Sequence, residues 1–251
     1  MQSCGNQAVS IHPDGSYPVD RQKCKLSSAE RLSGAEPLCG QCVSACTSHA
    51  LRFAGTAYTI DELCQKLLKD AVFYKNSNGG VTFSGGEPTL HLAYVSALAQ
   101  KLKESGIHLC LETCGFYDNE RFERELLPFL DLVYFDIKIF DREKHKKYCG
   151  VYNDIVLRNF EALFSKKTVK VLPRVPLIPG ITTEKENLIA IREFFQRCGV
   201  EEIGLLPYNP LWLSKISSIG AMEKYNHAEW MTNGEKDEVK AIFREFRFRD
   251  F

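Results

Sequence analysis

Apolar positions along this chain fall into two regimes, and the boundary lies near residue 55. From Thr59 onward they recur with clear periods. Ile60, Leu63, Cys64, Leu67, Leu68, Ala71 and Val72 return at helical spacing after Thr59, a residue type that starts helices, so an amphipathic helix is expected there with Cys64 packed in its apolar face. Val81–Phe83 is an apolar run long enough for a buried strand and too short for a helix. A helix is expected over His91–Glu104, with Leu92, Val95, Leu98, Ala99 and Leu102 on one face and Gly106 as its stop. Four more strands are expected at Ile107–Glu112, Leu132–Lys138, Val169–Leu177 and Ile203–Tyr208. Helices are expected at Glu120–Leu127, Asp154–Phe164, Glu184–Arg197 and, last, Glu235–Phe246. Strict alternation of apolar strands with helices implies a parallel sheet covered by helices, in an α/β chain. Five strands with crossover helices suit an open or partial barrel as well as a doubly wound sheet, and in both, ligands bind at the C-terminal ends of the strands.

Residues 1–54 read differently. They are rich in Ser, Gly, Pro and Cys with weak apolar periodicity, and a stretch of that length without its own elements needs something else to hold it. Composition narrows the compartment and the partners. With 251 residues the chain is one large domain or two smaller ones, and 44% hydrophobic residues suffice for a sizeable core. Lys plus Arg (32) equals Asp plus Glu (32), so no net charge points to nucleic acid or an anionic membrane. The local basic cluster Lys144-His145-Lys146-Lys147 reads as a solvated face. Neither a secretory signal nor an apolar stretch of transmembrane length is present, so a soluble, cytoplasmic protein is expected. In a reducing compartment the ten cysteines then call for something other than disulfides.

Five of those cysteines, Cys4, Cys24, Cys39, Cys42 and Cys46, lie in the irregular stretch. Cys39-Gly40-Gln41-Cys42-Val43-Ser44-Ala45-Cys46 is a C-x2-C-x3-C run, close to the ferredoxin pattern in which thiolates hold a [4Fe–4S] cluster. Glu36 stands where a leading cysteine would fall and Thr47 where a proline would, while Cys24 is available as a fourth thiolate. A four-cysteine zinc site is the alternative, though such sites more often show two C-x2-C pairs. How Cys4 and Cys24 group is open.

The expected strand ends gather polar residues. The first runs into Gly85-Gly86-Glu87-Pro88, where glycines let a ligand approach the backbone. The second ends in Glu112-Thr113-Cys114-Gly115 and the third in Asp136-Ile137-Lys138. The fourth carries Arg174 and ends in Pro179-Gly180, and the fifth ends in Pro207-Tyr208-Asn209-Pro210. Singly, each is a helix cap or a surface charge. Together at five ends they converge on one mouth, suited to a ligand bearing both an amine and a carboxylate.

These motifs, from Gly79-Gly80-Val81-Thr82-Phe83-Ser84-Gly85-Gly86-Glu87-Pro88 through Glu112-Thr113-Cys114-Gly115, Asp136-Ile137-Lys138 and Arg174-Val175-Pro176-Leu177-Ile178-Pro179-Gly180 to Leu205-Leu206-Pro207-Tyr208, resemble the activating enzymes of glycyl radical enzymes. Those are radical S-adenosylmethionine (SAM) proteins. The resemblance implies a partial (β/α)6 barrel with SAM at its mouth and a [4Fe–4S] cluster chelated by the SAM amine and carboxylate. Reductive cleavage of SAM then yields a 5′-deoxyadenosyl radical that takes hydrogen from a glycine of a partner enzyme. It further implies that Gly85, Gly86 and Glu87 meet the methionine amine region. Asp136 and Lys138 hold polar groups of SAM beside Glu112, and Ile137, Arg174 and Asn209 complete the pocket. Asn209 stands where the family often has a histidine. A flavodoxin or ferredoxin-type reductant is implied as a second partner.

By the same resemblance, residues 1–19 are the remnant of the cluster loop. Residues 20–54 are a ferredoxin-like insert whose Cys24, Cys39, Cys42 and Cys46 hold an auxiliary cluster, and residues 55–251 are the partial barrel with a C-terminal helix. Cys4-Gly5-Asn6-Gln7 resembles the end of the family's C-x3-C-x2-C motif, which puts its second cysteine at Met1 and its first, like the first barrel strand, ahead of the chain. The chain as written is therefore expected not to cleave SAM alone.

Overall fold

The computed structural model describes residues 4–10, 12–13, 19–20, 22–24, 39–53, 55–218 and 225–249. They fall into two compact units, residues 1–57 with 211–228 and residues 58–210 with 229–251.

The larger unit opens on helix α2 (Ile60–Leu68), after the single turn α1 (Gln41–Ser44) of the smaller one. Thr59 caps α2 by accepting from the Glu62 amide while the Glu62 carboxylate accepts from the Thr59 amide, a reciprocal capping box. The expected helix does not continue to Val72. It breaks at Lys69–Asp70, and a separate helix α3 (Ala71–Ser77) follows. Val72, expected on the apolar face, is 67% exposed, as is its neighbour Phe73 at 70%, whereas Ala71 and Tyr74 pack on the core.

The elements that follow are strand β1 (Gly80–Phe83), a 3-10 turn (Pro88–His91), α4 (Leu92–Glu104), β2 (His108–Thr113), α5 (Asn119–Glu125) and β3 (Leu132–Asp136). Then come α6 (Arg142–Cys149), α7 (Asp154–Lys166), β4 (Lys170–Leu177), α8 (Lys185–Cys198) and β5 (Glu202–Pro207). A 3-10 turn (Pro210–Trp212), α9 (Leu213–Ser218), α10 (Asn233–Ile242) and β6 (Arg247–Arg249) complete the chain. The five expected strands agree with β1 to β5 within one or two residues.

Beyond the short helices α1 and α9, two elements of the larger unit were not expected. Lys144-His145-Lys146-Lys147 lies in α6, started by Asp141, whose carboxylate accepts from the Lys144 amide at 2.7 Å. Only His145 of this helix is buried, so it has no apolar stripe to betray it. The last helix ends at Ile242 instead of reaching Phe246. Phe243–Phe246 forms a turn that delivers β6, whose Arg-Phe-Arg alternation is the period of a strand.

All six strands are parallel and lie side by side in chain order, β1-β2-β3-β4-β5-β6. That order separates the two architectures left open by the sequence. Right-handed crossovers that always step the same way put every helix on one face of the sheet, whereas a doubly wound sheet must reverse. The burial agrees. Val81, Phe83, Leu109, Leu111, Val133, Phe135, Val175, Leu177, Ile203 and Leu205 are buried in one core with Leu98, Leu102, Phe122, Phe160, Phe194 and Phe195 of the helices. Phe160 lies at its centre, its ring within 5.2–5.7 Å of those of Phe135, Phe164, Phe194 and Phe195. The alternate residues Glu112, Tyr134, Asp136 and Arg174 point the other way and stay partly exposed. A singly wound sheet with a polar inner face is a partial barrel.

No helix among the described residues is long and apolar enough to cross a membrane.

Candidate functional site

The charged residues expected at the strand ends meet on the inner face. Asp136 and Arg174 are directly paired across β3 and β4, and the guanidinium Nε donates to Asp136 at 2.9 Å. Its other arm donates to Glu112 at 2.8 Å, and the Ser84 hydroxyl donates to the second Glu112 oxygen at 2.6 Å. The Lys138 ammonium lies 3.7 Å from Asp136, and Arg174 rests 4.8 Å over the Tyr134 ring. Strands β2, β3 and β4 and the loops after β1 and β3 thus contribute to one chain of contacts, Ser84–Glu112–Arg174–Asp136–Lys138. Arg174 is the hub, with its side chain only 13% exposed. Burial pushes the Glu112 carboxyl up, but hydrogen bonds from Ser84 and Arg174 and the attraction of Arg174 outweigh it and hold the group below its ordinary range.

The loop after β1 supplies open backbone. Gly85 has φ +120°, a conformation that favours glycine, and a Cβ added at Gly85 or Gly86 would meet nothing within 4 Å. A ligand can therefore lie directly against this turn. Glu87 serves chiefly to build it. One carboxylate oxygen accepts from the Thr89 amide, the Thr89 hydroxyl and the Thr113 hydroxyl, and the other accepts from the Cys114 amide at 2.7 Å. Glu87 thereby ties the β1 loop to the end of β2. Gly115 follows with φ +78°, and any Cβ there would sit 2.1 Å from the Phe135 ring.

The remaining expected site residues are placed differently. The Ile137 side chain is 1% exposed and belongs to the core, while its amide donates to the Arg174 carbonyl at 2.9 Å. What Ile137 offers the mouth is backbone. Asn209 is exposed just after β5. Sequence reasoning assigned no role to Ser84, Thr113 or Tyr134, nor to the buried Asn153, Asn159 and Asn187. Ser84 and Thr113 lie inside motifs already singled out, and the inward period of β3 shared by Tyr134 and Asp136 is the signal for Tyr134.

The cysteines divide by chemistry. Cys110 within β2 and Cys114 just after it are driven up by burial to a pKa of about 11 each, a setting that favours the packed thiol over the thiolate. In the smaller unit the opposite holds at two positions. The Ala8 amide donates to Cys4 Sγ at 3.3 Å, and it, with the Asn6 amide, lowers that thiol's pKa. The Leu51 amide donates to Cys46 Sγ at 3.4 Å and, with Ser48, lowers that one. Amide hydrogen bonds to sulfur are the setting in which thiolates hold iron–sulfur clusters.

Cys42 lies in α1, with Cys39 just before it and Cys46 just after, all partly buried. The segment of Cys4 is tied to that of Cys24, since Asn6 donates to the Lys23 carbonyl at 3.1 Å and Val9 bridges Val19. Among the described residues no three His, Cys, Asp or Glu side chains are gathered closely enough to hold a metal. The hydrogen-bonded thiols of Cys4 and Cys46 have the donor chemistry of cluster ligands, and the arrangement is not that of a closed site. Met1 and Glu36, the positions matched to cluster cysteines above, lie outside the described residues.

A singly wound parallel sheet with its charged residues at the C-terminal strand ends, in a chain that also carries a cysteine-rich irregular segment, defines the class, and comparison with known proteins places the chain within it. The model of the Radical SAM superfamily matches residues 45–191. The 4-hydroxyphenylacetate decarboxylase activating enzyme of Clostridioides difficile (strain 630) is 34% identical over 241 residues, which cover 96% of this chain and 72% of that one. The trans-4-hydroxy-L-proline dehydratase activating enzyme of Clostridioides difficile is 33% identical over 206 residues, covering 80% of this chain and 67% of that one. Among solved structures, a domain of the pyruvate-formate lyase-activating enzyme from Bacteroides vulgatus ATCC 8482 superposes with a TM-score of 0.56, over 68% of this chain and 98% of that one. At 24% identity that last likeness is one of fold. The chain belongs to the radical SAM superfamily and, within it, to the activating enzymes of glycyl radical enzymes.

Proposed function

We propose that the Ser84–Glu112–Arg174–Asp136–Lys138 mouth, with the open Gly85-Gly86 turn, is where this activating enzyme holds SAM while generating a glycyl radical on a partner enzyme. A [4Fe–4S] cluster and SAM, when bound, supply the radical chemistry, and the protein's own part is placement and exclusion of water. Gly85 and Gly86 offer backbone to the amino-acid end of the ligand. Asp136 and Lys138 offer one charge of each sign to a zwitterion, and Arg174 bridges Glu112 and Asp136 and holds the Glu112 carboxyl below its ordinary range. The carrying observation is that Asp136 and Lys138 sit 3.7 Å apart at a strand end, on the face that the helices leave uncovered. Cys39, Cys42 and Cys46, with Cys24, are the proposed ligands of an iron–sulfur cluster that relays electrons from a flavodoxin or ferredoxin-type reductant, and Cys4 belongs to the SAM cluster.

The test is SAM affinity in the anaerobically reconstituted protein. Asp136→Ala and Lys138→Ala are each expected to weaken binding by about 10- to 100-fold, the worth of a charge-assisted hydrogen bond, with circular dichroism unchanged. Wild-type affinity in both variants would overturn the assignment.

A further inference from the structure

Of the charged residues in the mouth, Glu112, Asp136 and Arg174 lie within strands, where ladder hydrogen bonds set their direction. Lys138 does not. β3 ends at Asp136, and the last ladder contact is the Ile137 amide on the Arg174 carbonyl. Beyond that point the sheet gives the chain no support, yet the Lys138 ammonium is held 3.7 Å from Asp136.

Two buried asparagines take over where the ladder stops. Asn187, on the first turn of α8 and 6% exposed, donates to the Lys138 carbonyl at 3.1 Å and to the Thr182 carbonyl at 2.8 Å. Its own carbonyl oxygen accepts from the Phe140 amide at 2.8 Å. Both donors and the acceptor of one amide are thus spent on the backbone around Lys138 and on the loop that follows β4. Asn153, 3% exposed, donates to the Ile139 carbonyl at 3.1 Å and to the Phe140 carbonyl at 2.7 Å. It occupies the N-cap of α7, where asparagine usually accepts from the helix amides, and makes no such bond. The helix forgoes its cap and the loop gains two ties.

We infer that Asn187, supported by Asn153, is a positioning residue for Lys138: it replaces the missing strand ladder and aims the ammonium into the mouth beside Asp136. This rests on the reading of the mouth as the SAM site. Both asparagines are buried with their side-chain amides spent on backbone, so on this inference their effect on the mouth passes through Lys138.

That dependence is what the experiment reads. SAM affinity is measured by equilibrium dialysis on the reconstituted protein for wild type, Asn187→Ala, Lys138→Ala and the double variant, beside amide exchange of the peptide spanning 138–140. Asn187→Ala is expected to speed exchange in that peptide and to weaken SAM binding about tenfold, yet to add about twofold or less once Lys138 is alanine, the non-additivity of residues acting as one unit. A merely structural role predicts that the two losses multiply, and that result overturns the inference, as does unchanged affinity in Asn187→Ala. Should that variant fail to fold, Asn153→Ala is expected to weaken binding about threefold with the same loss of effect in the Lys138→Ala background, since one of the two supports remains. Full affinity in Asn153→Ala then overturns the inference. Full affinity in Lys138→Ala overturns the inference by removing Lys138 from the site, and only when Asp136→Ala also binds fully does the reading of the mouth itself fail.

Discussion

The two compact units of this chain are held by different physics. The larger one encloses a continuous apolar core whose central rings and strand residues are fully buried. In the smaller one the buried hydrophobic residues, among those described, are Ala8 and Val9. Yet the smaller unit carries five of the ten cysteines, all partly accessible, while the barrel's Cys64 and Cys110 are buried. Where the described part of a segment buries so little apolar surface, metal ligation is a second means of offsetting the entropy of ordering its backbone. One unit folds by burial, and the other is a candidate to fold by binding.

The sharpest way to break that contrast is to remove the metal. Anaerobic reconstitution with iron and sulfide is expected to load about four irons per cluster on Cys24, Cys39, Cys42 and Cys46 and to give broad charge-transfer absorbance. Cys42→Ser or chelation should then open residues 1–57 to limited proteolysis while the thermal transition of the barrel stays in place. If purified protein carries tightly bound zinc and takes up no iron, the cluster assignment is wrong, although the contrast between the units survives.

A smaller effect belongs to the mouth. Arg174→Ala leaves Glu112 and Asp136 facing each other with Lys138 as their remaining cation, and it is expected to destabilise the barrel by about 3 kcal/mol, the low end for breaking a buried pair because Glu112 keeps partial access to water. The loss should depend on pH. Because the folded Glu112 carboxyl sits below its ordinary value, its contribution is complete above the unfolded pKa of about 4.3 and is lost as pH falls through the lower folded value. Denaturation curves should therefore show the gap between wild type and variant widest near neutrality and narrowing below about pH 4. A gap that is constant with pH would falsify the electrostatic account.

The smallest effect lies on the outer surface. Thr59→Ala removes the capping box of α2, and urea denaturation of the barrel should report a loss of about 1 kcal/mol. Proteolysis of residues 1–57 in the same variant should be unchanged, since the cysteines proposed as cluster ligands all lie in residues 1–57.

Much of this was legible along the chain because the barrel obeys local rules. The strands β1 to β5 announce themselves as short apolar runs, and Glu112, Asp136, Arg174 and Lys138 announce themselves as charges at the ends of such runs. α6 and β6 escaped for the complementary reason: one buries a single histidine and the other is three residues long, so neither carries enough of a period to be read.

Other features depended on residues far apart in the sequence. Open barrel and doubly wound sheet share the same βα alternation, and only the strand order decides between them, through the handedness of the crossovers. The part played by Glu87 was of the same kind. A carboxylate after two glycines looks like a ligand contact, and only the approach of Thr113 and Cys114 from the neighbouring strand shows its acceptors already in use. Asn153 and Asn187 are polar residues at helix starts, ordinary in sequence. Their meaning comes from the backbone of Lys138, Ile139 and Phe140, which folding brings to them from up to 49 residues away. Periodicity and residue type act over a few neighbours and so can be read in one dimension. A hydrogen bond between distant segments exists only once the core has set their separation.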